Sequence, residues 1–513
     1  MNETDIPAEK KPKGRSPHSW VWAAAFALLG AVFAFASAPG ALAQVRDPSA
    51  PSTAQAENLQ RNRMYAAILQ QVFDFIQRNY VEEIDSTELF EGAMRGIFDS
   101  IDDPHSAFLP ESEMRQLNDT TQGSFGGVGL LITQPTRAIG GRPPYVEVSS
   151  PIEGTPGWRA GINPGDLIIA IDGEPTDRLN MDEVLARLRG QPGTEVALTI
   201  RRGERLEFPV TLTRAIIEVP TAHHAMIGDD IGYLRLTSFT PMTASRAAEA
   251  IAEFAQSGYQ GMILDLRNNS GGLLSAAIDV ASLFLDGGVV VRTHSRIPSE
   301  NQAFSTRRPP IVAQDIPLIV LVNRGSASAS EIVAGALKDR RRALIVGETT
   351  FGKGSVQQVY PIGNVGFRLT TARYVTPNNA VIDGIGIPPD MVVSMPSFAD
   401  ADIEQLNRLI NDGRIPEFVR ANPDAGAAQI DVFARSIVAE YGLENALVMR
   451  LIRDERNRTV ITPVYDLEDD VQLSAAVDIL RGGNFQYLLQ TARTLQALQE
   501  ELLMGSEGES GAS

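Results

Sequence analysis

The chain contains no cysteine, so disulfide bridges, thiol catalysis and thiolate metal sites are excluded. It has only five histidines, and none of them stands in HExxH or another metal-ligand spacing. Basic residues are also in deficit, because 45 lysines and arginines face 63 aspartates and glutamates, giving a formal charge of −18. A nucleic-acid partner, which would need a basic face, is therefore not expected, and neither is a metal site or a cofactor.

What the chain does contain is enough apolar sequence for several folded domains. It has 513 residues, of which 43% are hydrophobic and 21% charged, close to the globular average. At roughly 150 residues per domain, this length predicts about three to four units.

The N-terminus has the pattern of an export signal. A basic stretch that ends at Arg15 precedes the apolar run Trp20–Ala38, and Ala41-Leu42-Ala43 fits a signal-peptidase site. The run is long for a cleaved signal, so an uncleaved anchor formed by residues 20–38 is the alternative interpretation of residues 1–43. Either way we expect an exported, periplasmic protein, free or tethered to the inner membrane. Residues 44–58 are small and polar and are predicted to be a linker.

Periodicity divides the remainder into four regions. Residues 59–122 carry helical spacing: an apolar stripe runs from Tyr65 to Tyr80, and a second helix is predicted to start at Asp85. Residues 123–215 show short strands separated by glycine and proline turns. Residues 216–396 alternate strands with helices, among them a helix predicted for 243–257 and closed by Gly258, and this alternation predicts a largely parallel sheet with its site beyond the carboxyl ends of the strands. Residues 397–513 are mostly helical, with one stretch predicted for 470–503, and end in a polar tail. The sequence therefore predicts a multidomain α/β protein.

Two segments of the third region carry chemistry. In the first, LIVLVNRGSASASE (318–331), a hydrophobic strand ends in small residues that lead into a helix. A serine at that junction would lie among unpaired helix N–H groups able to hold an oxyanion. The alternative is that Ser326, Ser328 and Ser330 only cap the helix.

The second segment, VGETTFGKGSVQQ (346–358), imitates a nucleotide-binding P-loop. Gly354 replaces the required Ser or Thr, and the following residues alternate like a strand, so that interpretation fails. Lys353 is instead a candidate general base if burial lowers its pKa. Without cysteine or a suitably placed histidine, a Ser–Lys dyad is the remaining hydrolytic option.

Together these segments closely resemble the carboxyl-terminal processing proteases, the tail-specific serine peptidases of family S41. The resemblance spans roughly residues 60–395 and has several independent parts. Besides the two segments above, these are DPHS (103–106), GGVGLLI (126–132), AGINPGDLIIAIDG (160–173), LDLRNNSGG (264–272) and RYVTPNNAVIDGIGIPPD (373–390). The resemblance implies a ClpP/crotonase-like α/β protease core (216–396), an inserted PDZ domain (123–215) and helical regions before and after them.

The resemblance also assigns roles in the protease core. Ser328 would be the nucleophile, Lys353 the general base and Gln357 the residue that orients the lysine. Gln357 follows Lys353 by four residues, which places both side chains on one face if the segment is regularly extended. The oxyanion would be held by the backbone N–H of Ala329 and of either Gly271 or Gly272. Ser326 and Ser330 would be structural.

In the 125–214 domain, which looks like a PDZ domain, the glycine-rich stretch would bind the terminal carboxylate of a substrate. The following strand would pair with the peptide by β-augmentation. The substrate-binding residues would be Gly126, Gly127, Val128, Gly129, Leu130, Leu131 and Ile132. Arg189 is a candidate sensor of bound substrate, with an ordinary surface arginine as the alternative.

The expected function is that of an exported serine endopeptidase acting on proteins or peptides with free, apolar C-termini. The alternatives are an exported PDZ scaffold with an inactive core, and a membrane-tethered adaptor. Helical ends suggest a homo-oligomer or an adaptor-bound form. Residues 397–468 depart from the family pattern and look inserted.

Overall fold

The computed structural model describes residues 53–135, 143–203, 205–395, 400–457 and 464–499. The predicted signal segment, residues 44–52 of the predicted linker and the polar tail lie outside these residues. The chain divides into two compact units, residues 1–89 and 90–513. No helix within the described ranges is long and apolar enough to cross a membrane.

The first unit is helical. Helix α1 (Thr53–Asn79) carries the predicted apolar stripe, but it begins inside the predicted linker. The reason is that the alanine, glutamine and glutamate residues there are good helix formers. Helix α2 (Ser86–Asp99) begins in this unit, where the sequence predicts, and continues into the second unit. Asp85 at its start accepts a hydrogen bond from the N–H of Thr87 at 2.6 Å.

After α2 come β1 (Ala107–Leu109), α3 (Glu111–Gln122) and β2 (Ser124–Gly127). Helix α3 lies in the region predicted to be helical, whereas the two short strands were not predicted. A small domain follows, built on an antiparallel sheet of order β3-β4-β5-β7-β8, in which β3 is an edge strand. Its elements are β3 (Leu130–Thr133), β4 (Val146–Pro151), α4 (Pro156–Arg159), β5 (Leu167–Ile171), β6 (Glu174–Pro175), α5 (Met181–Leu188), β7 (Glu195–Arg202) and β8 (Leu206–Thr213). Strand β9 (Ala215–Glu218) then pairs with β2, so both connections of this domain run together as a two-stranded ribbon.

The third region, residues 216–396, contains a six-stranded sheet of order β10-β11-β12-β15-β16-β19. All its pairings are parallel except that of β10 with β11, which confirms the predicted largely parallel sheet. The strands and helices of the whole region are β10 (Ala222–Ile227), β11 (Ile231–Leu236), α6 (Thr243–Ser257), β12 (Gly261–Asp265), α7 (Leu274–Ala281), β13 (Val289–Ser295), β14 (Gln302–Ser305), β15 (Leu318–Val322), α8 (Ala329–Asp339), β16 (Leu344–Gly347), β17 (Ser355–Ile362), β18 (Val365–Val375) and β19 (Met391–Val392).

The central strands β12 and β15 are buried along their whole length, as expected for a sheet covered on both faces. On one face, Leu264 and Val320 pack with residues of α6, α7 and α8. On the other face, Ile263 and Ile319 pack with Leu473 of the C-terminal region. The C-terminal helix that carries Leu473 therefore belongs to the core of this region.

A second sheet is built around β18. One edge of β18 pairs with β17, and the other edge pairs first with β1 and then with β13, all antiparallel. Through this sheet the strand that follows the DPHS segment is joined to the strands that follow Lys353.

The C-terminal region has two parts. Helices α9 (Asp400–Asp412), α10 (Arg414–Ala421), α11 (Ala427–Tyr441) and α12 (Asn445–Asn457) share a hydrophobic cluster of their own. Helices α13 (Val471–Arg481) and α14 (Phe485–Thr491) instead cover the sheet. They replace the single helical stretch predicted for 470–503, because Gly482 and Gly483 interrupt it. The multidomain α/β prediction is confirmed.

Candidate active site

Ser328 lies where β15 leads into α8, at the carboxyl edge of the parallel sheet. Its φ of +54° falls in the left-handed region, which residues with a side chain rarely adopt. Strained backbone of this kind persists only where surrounding contacts enforce it, and it is concentrated at functional sites. The side chain is partly exposed, whereas most of its neighbours are buried.

The other two serines of the motif are engaged in structural hydrogen bonds. Ser326 and Ser330 are fully buried. The Ser326 hydroxyl donates to the carbonyl of Leu266 at 2.8 Å, and the Ser330 hydroxyl donates to the carbonyl of Asn269 at 2.8 Å. Both bonds fasten the loop after β12 to the loop before α8. This agrees with the structural role predicted for these two serines and leaves Ser328 as the accessible hydroxyl.

A buried carboxylate joins the two motifs. Oε2 of Glu331 accepts hydrogen bonds from the backbone N–H of Ser328 at 2.8 Å and of Lys353 at 2.9 Å. Oε1 accepts from the N–H of Gly352 at 2.7 Å and from the hydroxyl of Thr350 at 2.6 Å. Burial raises the pKa of Glu331, and these four hydrogen bonds act against that rise. One side chain thus ties the first turn of α8 to the loop between β16 and β17.

Sequence reasoning missed this role of Glu331. A signal was present, because a glutamate three residues after a serine has the spacing of a capping box. The donors in the distant glycine-rich loop could not be foreseen from that spacing.

Lys353 lies in this loop, and its side chain is about half buried. Burial lowers the pKa of the Lys353 ammonium group, and the positive charge of Arg368 on β18 lowers it further. The carboxylate of Glu331 acts in the opposite direction. The net effect favours the neutral amine, which is the form able to accept a proton.

Gln357 lies on β17, but Lys353 precedes that strand, and β17 has a bulge between Val356 and Gln357. The simple alternation that placed the two side chains on one face therefore does not apply. The side-chain amide of Gln357 donates to the hydroxyl oxygens of Ser355 at 2.8 Å and Thr370 at 3.2 Å. Within the described hydrogen bonds, Gln357 makes none to Lys353.

The glycines of the LDLRNNSGG segment lie against the serine motif. A Cβ added to Gly271 would meet Ser328 Cβ at 2.8 Å and Ala329 N at 3.0 Å. The N–H of Gly271 already donates to Asn269 Oδ1 at 2.9 Å. In the described part of the chain, no hydrogen bond uses the N–H of Gly272 or of Ala329 as donor. Of the three predicted donors, these two N–H groups therefore have no acceptor among the described hydrogen bonds.

Arg267, in the same segment, is bound from three directions. Its guanidinium donates to Asp265 at 2.6 Å, to Asp470 at 2.6 Å and to the side chain of Gln472 at 3.1 Å. Asp470 also accepts from the N–H of Leu473 and so caps α13. The start of α13 is therefore held beside the loop that carries Gly271 and Gly272.

In the small domain, the glycine-rich stretch is arranged differently from the predicted loop. Gly126 and Gly127 belong to β2, so only Val128 and Gly129 connect the strands. Gly129 has a φ of +75°, and Thr155 donates to its carbonyl at 3.1 Å. Strand β3, which contains the predicted Leu130, Leu131 and Ile132, has one unpaired edge in the sheet order, as a peptide-accepting strand requires.

Arg189 ends helix α5 of the small domain. Its guanidinium stacks on the ring of Phe125 in β2, 4.6 Å from the ring centroid. The predicted sensor thus lies where the small domain meets the β2–β9 ribbon.

Models of known families match three parts of the chain. Residues 230–393 match peptidase family S41, residues 147–202 match a PDZ domain, and residues 28–112 match the N-terminal domain of the activating protease CtpB. The Carboxy-terminal-processing protease of Bartonella bacilliformis is 41% identical over 331 residues, which cover 63% of this chain and 74% of that protein. The Carboxyl-terminal-processing protease of Synechocystis is 37% identical over 396 residues, covering 74% and 89%.

A solved structure is also similar. The photosystem II D1 C-terminal processing protease shares 31% sequence identity, with 64% of this chain and 92% of that chain covered and a TM-score of 0.38.

Proposed function

Because the chain belongs to peptidase family S41, the carboxyl-terminal processing proteases, we propose that it is a serine peptidase that uses Ser328 and Lys353 as a catalytic dyad. The observation that carries this proposal is the shared hydrogen-bond acceptor. The backbone N–H groups of both residues bind the same oxygen of Glu331. The strained backbone of Ser328 and the lowered pKa of Lys353 support the same assignment.

In the proposed reaction, neutral Lys353 takes the hydroxyl proton of Ser328 while the oxygen attacks the scissile carbonyl. The ammonium group then protonates the leaving amine, and water hydrolyses the acyl-enzyme with Lys353 again as base. The N–H groups of Ala329 and Gly272 are the proposed oxyanion donors. Gln357 is proposed to orient Lys353 through its side-chain carbonyl oxygen.

The small domain is proposed to select substrates by their C-terminal tails. An extended apolar peptide would add to the free edge of β3, with its carboxylate near the Val128–Gly129 connection. The partly buried Leu130 and Ile132, which pack against the domain core, would form one side of the pocket.

Export is proposed from the basic and apolar pattern of residues 1–43, with residues 20–38 as an inner-membrane anchor if the segment is not cleaved. We also propose a homo-oligomer or an adaptor-bound form, because α1 exposes several large apolar side chains. Periplasmic fractionation, N-terminal sequencing of the mature protein and light scattering of the purified chain test these points.

The dyad is tested with purified Ser328→Ala, Lys353→Ala and Lys353→Arg proteins. Each should lose peptide cleavage while keeping the wild-type unfolding midpoint. Lys353→Arg should be as inactive as Lys353→Ala, because arginine does not give up its proton in the accessible pH range. Activity in any of the three would overturn the dyad. If the wild-type chain bound tail peptides but cleaved none, a silent PDZ scaffold would replace the peptidase.

A further inference from the structure

The DPHS segment (103–106) lies between helix α2 and strand β1. Its Asp103 accepts hydrogen bonds from the hydroxyl of Ser106 at 2.6 Å and from the N–H of His105 at 3.0 Å. Ser106 is buried, with 6% of its surface exposed. Strand β1 begins at the next residue, so the segment fixes where that strand starts.

Ser106 also makes a bond that is distant in sequence. Its hydroxyl oxygen accepts the backbone N–H of Thr370 at 3.0 Å. Thr370 lies on β18 just past the last residue paired with β1, Arg368, and before the first residue paired with β13, Ala372. Its N–H would therefore have no strand partner, and Ser106 supplies the acceptor in that gap.

On its other edge Thr370 is directly opposite Gln357 of β17. The Thr370 hydroxyl oxygen accepts one N–H of the Gln357 amide, and Ser355 accepts from the same amide nitrogen. Since that nitrogen carries two hydrogens, both are committed, and the amide oxygen remains as the acceptor. In the described part of the chain this oxygen accepts no hydrogen bond.

Asp103 completes the arrangement. Burial alone would raise the pKa of this carboxyl group, but hydrogen bonds from Ser106, Thr370 and His105 hold it below its ordinary value. An ionised carboxylate thus orients the Ser106 hydroxyl and leaves its oxygen lone pairs facing Thr370.

We propose that Asp103 and Ser106 are positioning residues for catalysis, which hold Thr370 so that its hydroxyl fixes the Gln357 amide with its oxygen available to Lys353. The inference rests on the role of Gln357 in the proposed function. The dyad chemistry by itself gives the DPHS segment no role, and the proposal assigns it one. Residues that precede the small domain in sequence then help to set the geometry of the catalytic site.

The experiment is a double-mutant cycle on the full-length chain, with a quenched peptide that ends in a free, apolar C-terminus. Ser106→Ala should lower kcat about ten-fold, the size of one hydrogen bond, and change KM less than about two-fold. In a Gln357→Ala background the same substitution should change kcat less than about two-fold, because the group it positions is already absent. Ser106→Thr keeps the hydroxyl and should recover most of the activity.

Ser100→Ala is the matched control, since Ser100 is an exposed serine of the same region whose hydroxyl, among the described residues, donates to the carbonyl of Ile97 alone. It should leave kcat and KM unchanged. Thr370→Val provides a second route if Ser106→Ala does not fold, because it removes the hydroxyl while keeping the backbone N–H. It should show the same dependence on Gln357.

A merely structural role would lower kcat by the same factor in both backgrounds, and that result overturns the proposal while leaving the dyad and Gln357 intact. If Gln357→Ala alone kept full kcat, the proposed role of Gln357 would fail, and the positioning role would fail with it.

Discussion

The backbone N–H groups of Ser328 and Lys353 converge on a single atom, Oε2 of Glu331, at 2.8 and 2.9 Å. The two residues come from different loops, one entering α8 and the other leaving β16. Because they share one acceptor, neither loop can shift without disturbing the other. Glu331 itself cannot shift easily, since its side chain is fully buried and held by two further donors.

Replacing Glu331 with glutamine should therefore nearly abolish cleavage. The carboxylate of Glu331 accepts two hydrogen bonds at each of its oxygens, whereas an amide has only one accepting oxygen. In the glutamine variant the NH2 group would therefore face two donors that need an acceptor. Leaving buried donors unsatisfied costs about 1–3 kcal/mol each, so we expect kcat/KM to fall by about two orders of magnitude or more. Steady-state kinetics of Glu331→Gln, with circular dichroism to verify folding, measures this.

Glu348→Gln is the control for that change. Glu348 is the first residue of the same loop, and its carboxylate accepts the backbone N–H of Met395 at 3.1 Å. Its loss should change kcat/KM less than about three-fold, as expected for a single partly exposed bond. A folded Glu331→Gln protein with activity near that of Glu348→Gln would show that the shared acceptor is not needed.

Arg368→Gln should move the acidic limb of the pH–rate profile to higher pH. Burial and the charge of Arg368 both lower the pKa of Lys353, with Glu331 opposing them. Removing the nearby cation makes the ammonium form less unfavourable, so the pKa of Lys353 rises. A smaller share of Lys353 is then neutral at any given pH. Activity should fall at neutral pH and return towards the wild-type value at alkaline pH.

Arg373→Gln is the matched control on the same strand. Arg373 is 70% exposed and paired with Asp383 at 3.0 Å, so its removal should leave the limb in place. Arg368→Lys keeps the positive charge and should also leave the acidic limb of the pH–rate profile in place. Competitive labelling of Lys353 with an amine reagent reports its pKa without relying on catalysis. An unchanged Lys353 pKa in Arg368→Gln would contradict the assignment.

The parts of the site that the sequence revealed are those with local causes. Helix α6 ends at Gly258, whose φ of +73° only glycine adopts readily, and its bounds match the prediction. The junction that contains Ser328 could be predicted because a buried apolar strand followed by small residues marks the passage from a strand to a helix. In both cases the determining residues are neighbours in sequence.

The parts that the sequence did not reveal depend on long-range register. Gly271 and Gly272 could not be separated by inspection, since the difference lies in the side chain of Asn269. Its amide donates to the carbonyl of Leu236 on β11, and its oxygen then accepts only the N–H of Gly271. Gln357 was placed by regular alternation, which the bulge in β17 interrupts. Such details depend on which strand edges meet, and periodicity carries no information about that.

Asp470→Asn should destabilise the chain by about 2 kcal/mol, because a nearly buried Arg267 loses a charged partner. Asparagine caps helices as well as aspartate does, so the substitution isolates the ion pair from the cap of α13. Burial would raise the pKa of Asp470, but Arg267 holds it below its ordinary value. The stabilisation is therefore present at neutral pH and lost as the pH falls through that lowered pKa. Urea unfolding at neutral and acidic pH measures both effects.

Another ion pair made by α13 provides the comparison for the loss of stability expected in Asp470→Asn. Arg481 binds Asp230 at 2.7 Å, but the two side chains are 47% and 41% exposed. Asp230→Asn should therefore cost less than about 1 kcal/mol. Equal losses for the two variants would mean that burial does not distinguish these pairs and that Arg267 does not anchor α13.

Gly129→Ala should weaken binding of tail peptides. The φ of +75° at this position already disfavours a side chain, and a Cβ there would lie 2.2 Å from Cβ of Thr155. Thr155 cannot retreat freely, since it is buried and bonds to the carbonyls of Ile152 and Gly129. The connection from β2 to β3 must therefore shift, and the free edge of β3 shifts with it.

The measurement is fluorescence anisotropy of a labelled peptide with a free, apolar C-terminus, in the non-cleaving Ser328→Ala chain. We expect its Kd to rise at least about ten-fold, equivalent to about 1.4 kcal/mol. Gly173→Ala supplies the control, because Gly173 has a similar φ of +83° but nothing within 4 Å of an added Cβ. It carries the same backbone strain without the collision, so its Kd should stay within about two-fold of the parent value. An amidated version of the peptide should bind the parent chain weakly, since it lacks the terminal charge. Tight binding of the amidated peptide, or equal effects of the two glycine substitutions, would show that the Val128–Gly129 connection does not receive the tail.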